Sequence, residues 1–426
     1  MLLPLILNNL LMGTPPTPSN GVAQQDWGVS VRVETAWRTV VTDADSTAGE
    51  ERVQLWTRPA RTVHVRWVGI DRAEAQRLVF AILRSGHEQT RVPIACDQAV
   101  TTASSSSVTI NCPTADRRFS AGYYCLIHDV SGGRAINPQV RYVTAVGGSS
   151  LTVTPALTGS YAAGAIVYPL ILAEVELERE VEFPSSQVCV IEAAFREVIG
   201  VEALPALTNG LTSLGAFPTA TVESATYNLM DEDHDWAAQF VAGHIRPGED
   251  YERGRGRQVY KRGARPLWRW GAQFLFDTRT LAWDFLELLD NLRGRTGALW
   301  WPWPANVWSA QGYATTYVEI SASGNLDDME DLVSHVAIKF TSGTWAVRRI
   351  STVVLTGGVW RITPTENWPA GSLSDVSKVC PCALVRMESD AAEEEWLTDQ
   401  VMRIGLSVRE IMSEAAVASV SAPVEC

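Results

Sequence analysis

RPARTVHVRWVGIDRAEAQRLVFAIL at residues 58–83 and RGARPLWRWGAQFLFDTRTLAWDFLELL at residues 262–289 are two versions of one pattern. Each opens on an arginine-bracketed turn, alternates apolar and polar residues, and passes an aspartate into a segment with helical spacing. The alternation predicts a half-buried strand, and Asp71 and Asp277 stand where a helix wants its N-cap. Ala75, Leu78, Val79, Ile82 and Leu83 make one apolar stripe after the first aspartate; Leu281, Phe285, Leu288 and Leu292 make another after the second. A strand feeding one amphipathic helix thus occurs twice.

The duplication extends outward from these segments. VRYVTAV and LTVTPALTGSYAAGA, between residues 140 and 165, return as VRRISTV and WRITPTENWPAGS between 347 and 372. FREV from Phe195 returns as VREI from Val408, and LPLILNN at 3–9 has a faint echo in LPALTNG at 204–210. Arg58 to Arg262 is 204 positions, Val140 to Val347 is 207, and Phe195 to Val408 is 213, so order is kept while small insertions accumulate. A period this long implies two copies of one domain, not a solenoid, and each copy is long enough for its own core. The strand pattern lapses at 199–210, which predicts an N-terminal arm at 1–26, a first domain at 27–200 and a second at 201–426.

Most of the remaining pattern is β. WGVSVRVETAWRTVV at 27–41 alternates, and residues 53–69 continue the alternation. Short Val, Ile, Thr and Tyr runs are punctuated by SGG at 131–133, VGGSS at 146–150, LTGS at 157–160, TSGTW at 341–345 and LTGG at 355–358. Turn signals at that spacing predict a mainly β protein of two tandem β-sandwich or barrel domains, each flanked by one α-helix. No βαβ alternation is present.

Composition sets limits. Of 426 residues 46% are hydrophobic and 19% charged, which fits ordered globular structure. A net charge of −13 opposes a surface that wraps nucleic acid. It is compatible with a passage through which DNA slides, and predicts an acidic lining for one. Seven cysteines share no spacing between the copies, so they read as reduced thiols and not as a disulfide framework. MLLPLILNNLLM is too short to span a bilayer and has no basic region before it; it reads as an arm that packs on a partner.

Candidate chemical motifs are weak. Cys380-Pro-Cys382 has no second closely spaced pair to complete a zinc site, and Val167-Tyr168-Pro169 aligns with it in the first copy, so it reads as packing thiols on a strand. Asp231, Asp233 and Asp235 alternate as in a calcium loop, but Trp236 and Ala242 occupy the places of the required glycine and acid; a solvated acidic loop fits better. The six histidines are scattered, and no nucleophile elbow or phosphate-cradling glycine loop occurs. No catalytic residue, cofactor or metal is therefore expected.

Two clusters are candidate interfaces. Arg255, Arg257, Lys261 and Arg262 form the one basic cluster, suited to DNA phosphates, to a solvated hairpin tip, or to a neighbour's carboxylates. Trp300, Trp301, Trp303 and Trp308 crowd one strand after the second helix, as a sugar platform or an interface would. Val92-Pro93 stands where Trp301-Pro302 does, which makes a buried or interface strand the better reading.

AWDFLELLDNLRGRTGALWWPW at 282–303 and the hairpin VRYVTAVGGSSLTVTPALTGSYAAGAIVYPL at 140–170 together resemble the tail-tip proteins of long-tailed bacteriophages, distal tail and minor tail proteins among them. The resemblance covers about half the chain and carries no catalytic signature. It implies a tail-tube-like domain and a structural virion protein, assembled in the host cytoplasm into a ring that continues the tube at the tail tip. DNA would pass through its lumen without specific binding. The implied partners are the tail tube, tape measure, hub and fibre proteins. The duplication departs from a distal tail protein with one tube-like domain, usually hexameric, and opens a second arithmetic: a trimeric baseplate hub whose six domains make a pseudo-sixfold ring. A receptor- or carbohydrate-binding tail protein is the further alternative.

Overall fold

The computed structural model describes residues 31–43, 50–55, 58–69, 89–131, 134–175, 180–185, 188–198, 217–222, 225–231, 235, 237–238, 240–245, 248–253, 256–261, 267–303, 308–321 and 334–411. The arm at 1–26, the first helical stripe and the join at 199–210 lie outside them. The described chain is mainly β, with one α-helix among the described residues and nearly all strand pairs antiparallel.

Eight strands frame everything that follows. They are β1 (Val31–Ala36), β2 (Ala60–Gly69), β3 (Glu180–Glu182), β4 (Cys189–Glu197), β5 (Val241–Ile245), β6 (Leu267–Phe276), β7 (Ala391–Trp396) and β8 (Met402–Glu410). Their hydrogen-bonded order is β3-β4-β2-β1-β7-β8-β6-β5, antiparallel throughout. The first four strands precede residue 200 and the last four follow it. The order within each set is the same: a short outer strand, two long central ones, and a strand that leads into a hairpin. Those hairpins are Thr39–Asp43 paired with Glu50–Gln54, and Gly248–Arg253 paired with Gly256–Lys261.

A second ladder also recurs. Before residue 200 it runs Thr90–Pro93, Ile166–Val175, Tyr124–Ser131, Arg134–Gly147, Ser150–Thr154. After it, the order is Leu299–Pro302, Val376–Met387, His335–Phe340, Trp345–Thr356, Val359–Pro364. Both closing hairpins turn on two residues and carry a bulge on the first strand, between Val143 and Ala145 or between Ile350 and Thr352. The second bulge lies two residues further from its turn, one of the small insertions behind the drifting offset.

Alternation along β1, β6 and β8 follows the sequence pattern, with one face buried and the other open. On the buried face Trp270, Phe274 and Phe276 meet Ala282, Phe285, Leu288 and Leu292 of helix α1 (Arg279–Leu292). Its N-cap is Thr278, whose side chain accepts from the Leu281 amide at 3.4 Å, one residue beyond the expected aspartate. Leu281, counted in the apolar stripe, is 40% exposed in that first turn. The helix closes with Arg293 and Gly294 both left-handed (φ 51° and 66°), and the Gly297 amide returns to the Leu292 carbonyl at 2.7 Å.

Sequence length suggested a core for each half. The largest apolar cluster instead spans both: Val31, Val63 and Phe195 share it with Trp270, Ile404 and Trp396. Smaller clusters sit under the outer hairpins.

A Cβ at Gly297 would lie 2.6 Å from the Leu292 backbone, whereas one at Gly148 would meet nothing within 4 Å. Gly297→Ala is expected to lower unfolding free energy by roughly 1–3 kcal/mol through overpacking, and Gly148→Ala to leave the denaturation midpoint nearly unchanged.

Candidate assembly interface

The two sets of four strands meet along one ladder. β1 pairs with β7 over six residues, from Val31 opposite Trp396 to Ala36 opposite Ala391. Val31 and Trp396 are both fully buried there. The seam is therefore a continuation of backbone hydrogen bonding, in which each strand covers the other's edge.

Beneath the ladder lies a cluster of charged side chains, each nearly inaccessible to solvent. Arg118 donates from one nitrogen to both oxygens of Glu394 at 2.8 Å and from another to Asp97 at 3.0 Å. Arg279, the first residue of α1, also pairs with Asp97. It donates further to the carbonyls of Cys96 and Asp116 at 2.6 Å and of Asp399 at 2.8 Å. Thr35 of β1 and the Trp396 indole each donate to Glu394 at 3.1 Å. The guanidinium of Arg279 lies 4.8 Å from the Trp396 ring. Two cations and two anions balance, so the cluster is neutral and each charge has an opposite charge beside it, although the Arg118 Nε is buried without a hydrogen-bond partner. Burial alone would raise the Asp97 carboxyl, but Arg118 and Arg279 outweigh it and hold Asp97 below the usual carboxylate range.

A second contact pins the first hairpin. Asp390, just before β7, accepts from the Thr39 and Arg295 amides at 3.1 Å and from the Arg295 guanidinium at 2.9 Å. Its carbonyl accepts from the Trp37 amide at 2.7 Å. Burial opposes ionisation here too, and the donors from Arg295 and Thr39 prevail, so Asp390 also titrates below its ordinary value. Arg293 adds a hydrogen bond to Gln54 at 3.0 Å.

The structure distributes the sequence candidates unevenly. Trp300 and Trp301 are core residues of this chain, 0% and 2% exposed, on the buried side of the buried-or-interface reading of their strand. The Trp300 indole donates to the Ala220 carbonyl at 3.2 Å. Trp303 is half-buried, 4.8 Å from Trp268 between ring centres, and Trp308 is half-buried in an isolated bridge to Val379. Arg257 and Lys261 lie on the strand Gly256–Lys261, while Arg255 and Arg262 lie outside the described residues. Asp231 pairs with Lys339 at 2.6 Å, and Asp233 lies outside the described residues. Cys380 and Cys382 are buried on Val376–Met387, and burial pushes the Cys380 thiol up to about 12, so both behave as packing groups. The register opposite the strands Thr90–Pro93 and Leu299–Pro302 aligns Pro169 with Pro381, which makes Leu170, not Pro169, the counterpart of Cys382.

Sequence reading missed the charged cluster, although two signals pointed to it. Arg279 sits in the first turn of a helix, the end where the macrodipole disfavours a cation, so it needs a specific anion. Glu394 lies in phase with Ala392 and Trp396, on the inward face of its strand.

No protein-family model matches the chain, and no curated protein matches its sequence.

Removing one member of the buried cluster leaves its partners uncompensated. Arg118→Met is expected to cost about 3–5 kcal/mol in chemical denaturation, whereas Arg32→Ala, in an open-face pair with Glu393 at 3.4 Å, is expected to cost about 0–1 kcal/mol.

Stability should also depend on pH from both sides. Asp97 and Asp390 ionise below 3.8 in the folded chain, so what they contribute is complete above about pH 4 and is lost as pH falls through their native values. Glu287 is displaced the other way, from 4.5 to about 7, chiefly by burial. The fold favours its neutral form, so that contribution is complete below 4.5 and is lost as pH rises through about 7. The denaturation midpoint is expected to fall on both sides of this window, and Glu287→Gln to flatten the alkaline side.

Proposed function

We propose that this chain is a structural building block of a bacteriophage tail tip, made of two tandem tube-like domains and acting by assembly. The observation that carries the assembly part is the seam. Four strands before residue 200 and four after it are ordered alike and join edge to edge, antiparallel, into one sheet. A unit that already extends its sheet by docking one repeat on the next is built to be extended again. The phage assignment rests on the sequence resemblance of residues 282–303 and 140–170, with which a mainly β fold and one helix behind the sheet agree.

In this reading the chain forms a ring at the distal end of the tail tube. Six chains, or three chains contributing six repeats as in a hub, would each complete it. The tube, tape measure, hub and fibre proteins are the neighbours, and DNA passes through the lumen. The open face of the sheet would line that passage. Net charge suggested an acidic lining, but this face carries compensated pairs: Arg66 with Glu192 at 3.2 Å, Arg403 with Glu395 at 3.6 Å, and Arg32 with Glu393. Neutralised pairs give sliding DNA neither a binding surface nor a strong repulsive field. A glycan-binding role keeps only Trp303 and Trp308 of its four indoles, since Trp300 and Trp301 are buried.

The test is location in a particle. Antibodies raised against the purified chain are expected to decorate the tail end of virions, and subtomogram averaging to place a threefold or sixfold ring there. Absence of the chain from purified virions by mass spectrometry, or decoration of the capsid alone, would overturn the assignment.

A further inference from the structure

Among the described residues the sheet of eight strands ends at β3 on one side and at β5 on the other, and the seam in its middle says what fits those edges. Among the described residues β3 pairs only with β4, and β5 only with β6. Registers relate these edges to the seam. The ladder of β4 on β2 matches that of β8 on β6 when Thr62 is set on Arg269 and Arg196 on Arg409. His64 then corresponds to Gly271. Arg32 faces His64 and Val241 faces Gly271, so β5 takes the place of β1, with Val31 falling at Phe240. Val190 corresponds to Arg403. Glu182 faces Val190 and Glu395 faces Arg403, so β3 takes the place of β7, with Phe183 falling at Trp396.

The sequences agree: Glu180-Val-Glu-Phe183 lies over Glu393-Glu-Glu-Trp396. The exposures do not. Trp396 is completely buried where it stands opposite Val31 and beside Arg279, whereas Phe183 at the same place is 63% exposed. Ala242, which holds the place of the fully buried Val33, is exposed as well, while Val241 holds the place of Arg32 on the open face and is exposed as Arg32 is. Phe183 and Ala242 thus have the surroundings of a seam without its second strand.

We infer that β5 of one chain pairs antiparallel with β3 of a second copy of this chain, reproducing the seam between β1 and β7. The register transfers directly: Val31 opposite Trp396 becomes Phe240 opposite Phe183, followed by Val241 with Glu182, Ala242 with Val181, and Gly243 with Glu180. The contact is head-to-tail, so each added copy exposes the same two edges again, and assembly continues until a ring closes. The hairpin Gly248–Lys261 follows β5 after two residues, as the hairpin Thr39–Gln54 follows β1, and the latter docks on Asp390 and Arg295.

The inference deepens the ring-forming reading and rests on it, but it can fail separately. Full-length chains carrying Val181→Cys and Ala242→Cys are mixed and exposed to a mild oxidant. A disulfide-linked heterodimer is expected from this mixture, and little from the one-residue offset pair Glu182→Cys with Ala242→Cys or from either variant alone. In sedimentation, Phe183→Asp is expected to abolish self-association of the wild-type chain, and Phe183→Trp to preserve it. The side chain is largely exposed, so neither change disturbs the core. A wild-type chain that stays monomeric up to its solubility limit overturns the inference, as do oligomers indifferent to Phe183→Asp. Oligomers that ignore Phe183 and give no matched cross-link leave the tail-tip ring standing and remove only this ladder. Matched cross-links in a protein absent from virions do the reverse.

Discussion

Arg118 joins the two halves of this molecule through one side chain. It belongs to the first half, yet both oxygens of Glu394 in the second half accept from it, while Asp97 takes its other nitrogen. With Arg279 completing the charge balance, the cluster turns a backbone ladder into a fixed joint. Such a cluster contributes little net stability over an apolar replacement but tolerates few wrong alignments, because a slipped register would strand a buried charge. A slip of one residue in β7 would also turn Trp396 and Glu394 to the open face and Glu393 and Glu395 into the core. Seam and cluster therefore specify each other.

That joint explains why the principal core is shared. Closing β1 on β7 makes the inner faces of two four-stranded sets into one surface, and α1 lies across its second part with Phe285 against Phe274 and Phe276. The Asp390 contact then ties the base of the first hairpin to the end of that helix. Each device acts between residues far apart in the chain. Each is located where the first set of strands needs a neighbour.

Asymmetry follows from the same constraint. One seam lies inside the chain, so its residues are tuned for permanent burial: Trp396 stacks beside Arg279, and Glu394 is fully satisfied. At the outer edges the corresponding places hold Phe183 and Val181. An edge that spends time in water carries no buried charge awaiting a partner. Its smaller apolar residues suit the reversible docking proposed for it.

Much of this was legible in the sequence. The alternation in ARTVHVRWVG and LWRWGAQFLF defines the paired central strands β2 and β6, and the spacing of Phe285, Leu288 and Leu292 defines the helix face, because these patterns depend only on local geometry. Setting FREV on VREI, 213 positions apart, superposes the ladder of β4 on β2 on that of β8 on β6 with Thr62 on Arg269, a step of 207 where Arg58 and Arg262 stand 204 apart. The partner of β1 was not legible. An edge strand carries the same alternation whether its neighbour is water, its own domain or another half, and pairing β1 with residues 360 positions away leaves no trace in either segment alone. The sequence left Trp300 and Trp301 between a buried strand and an interface, and composition could not foresee that the open face would be charge-paired, since burial and pairing depend on which faces meet. The chain's order determined its repeating strands; only tertiary closure decided that one repeat completes the other along the ladder of β1 on β7.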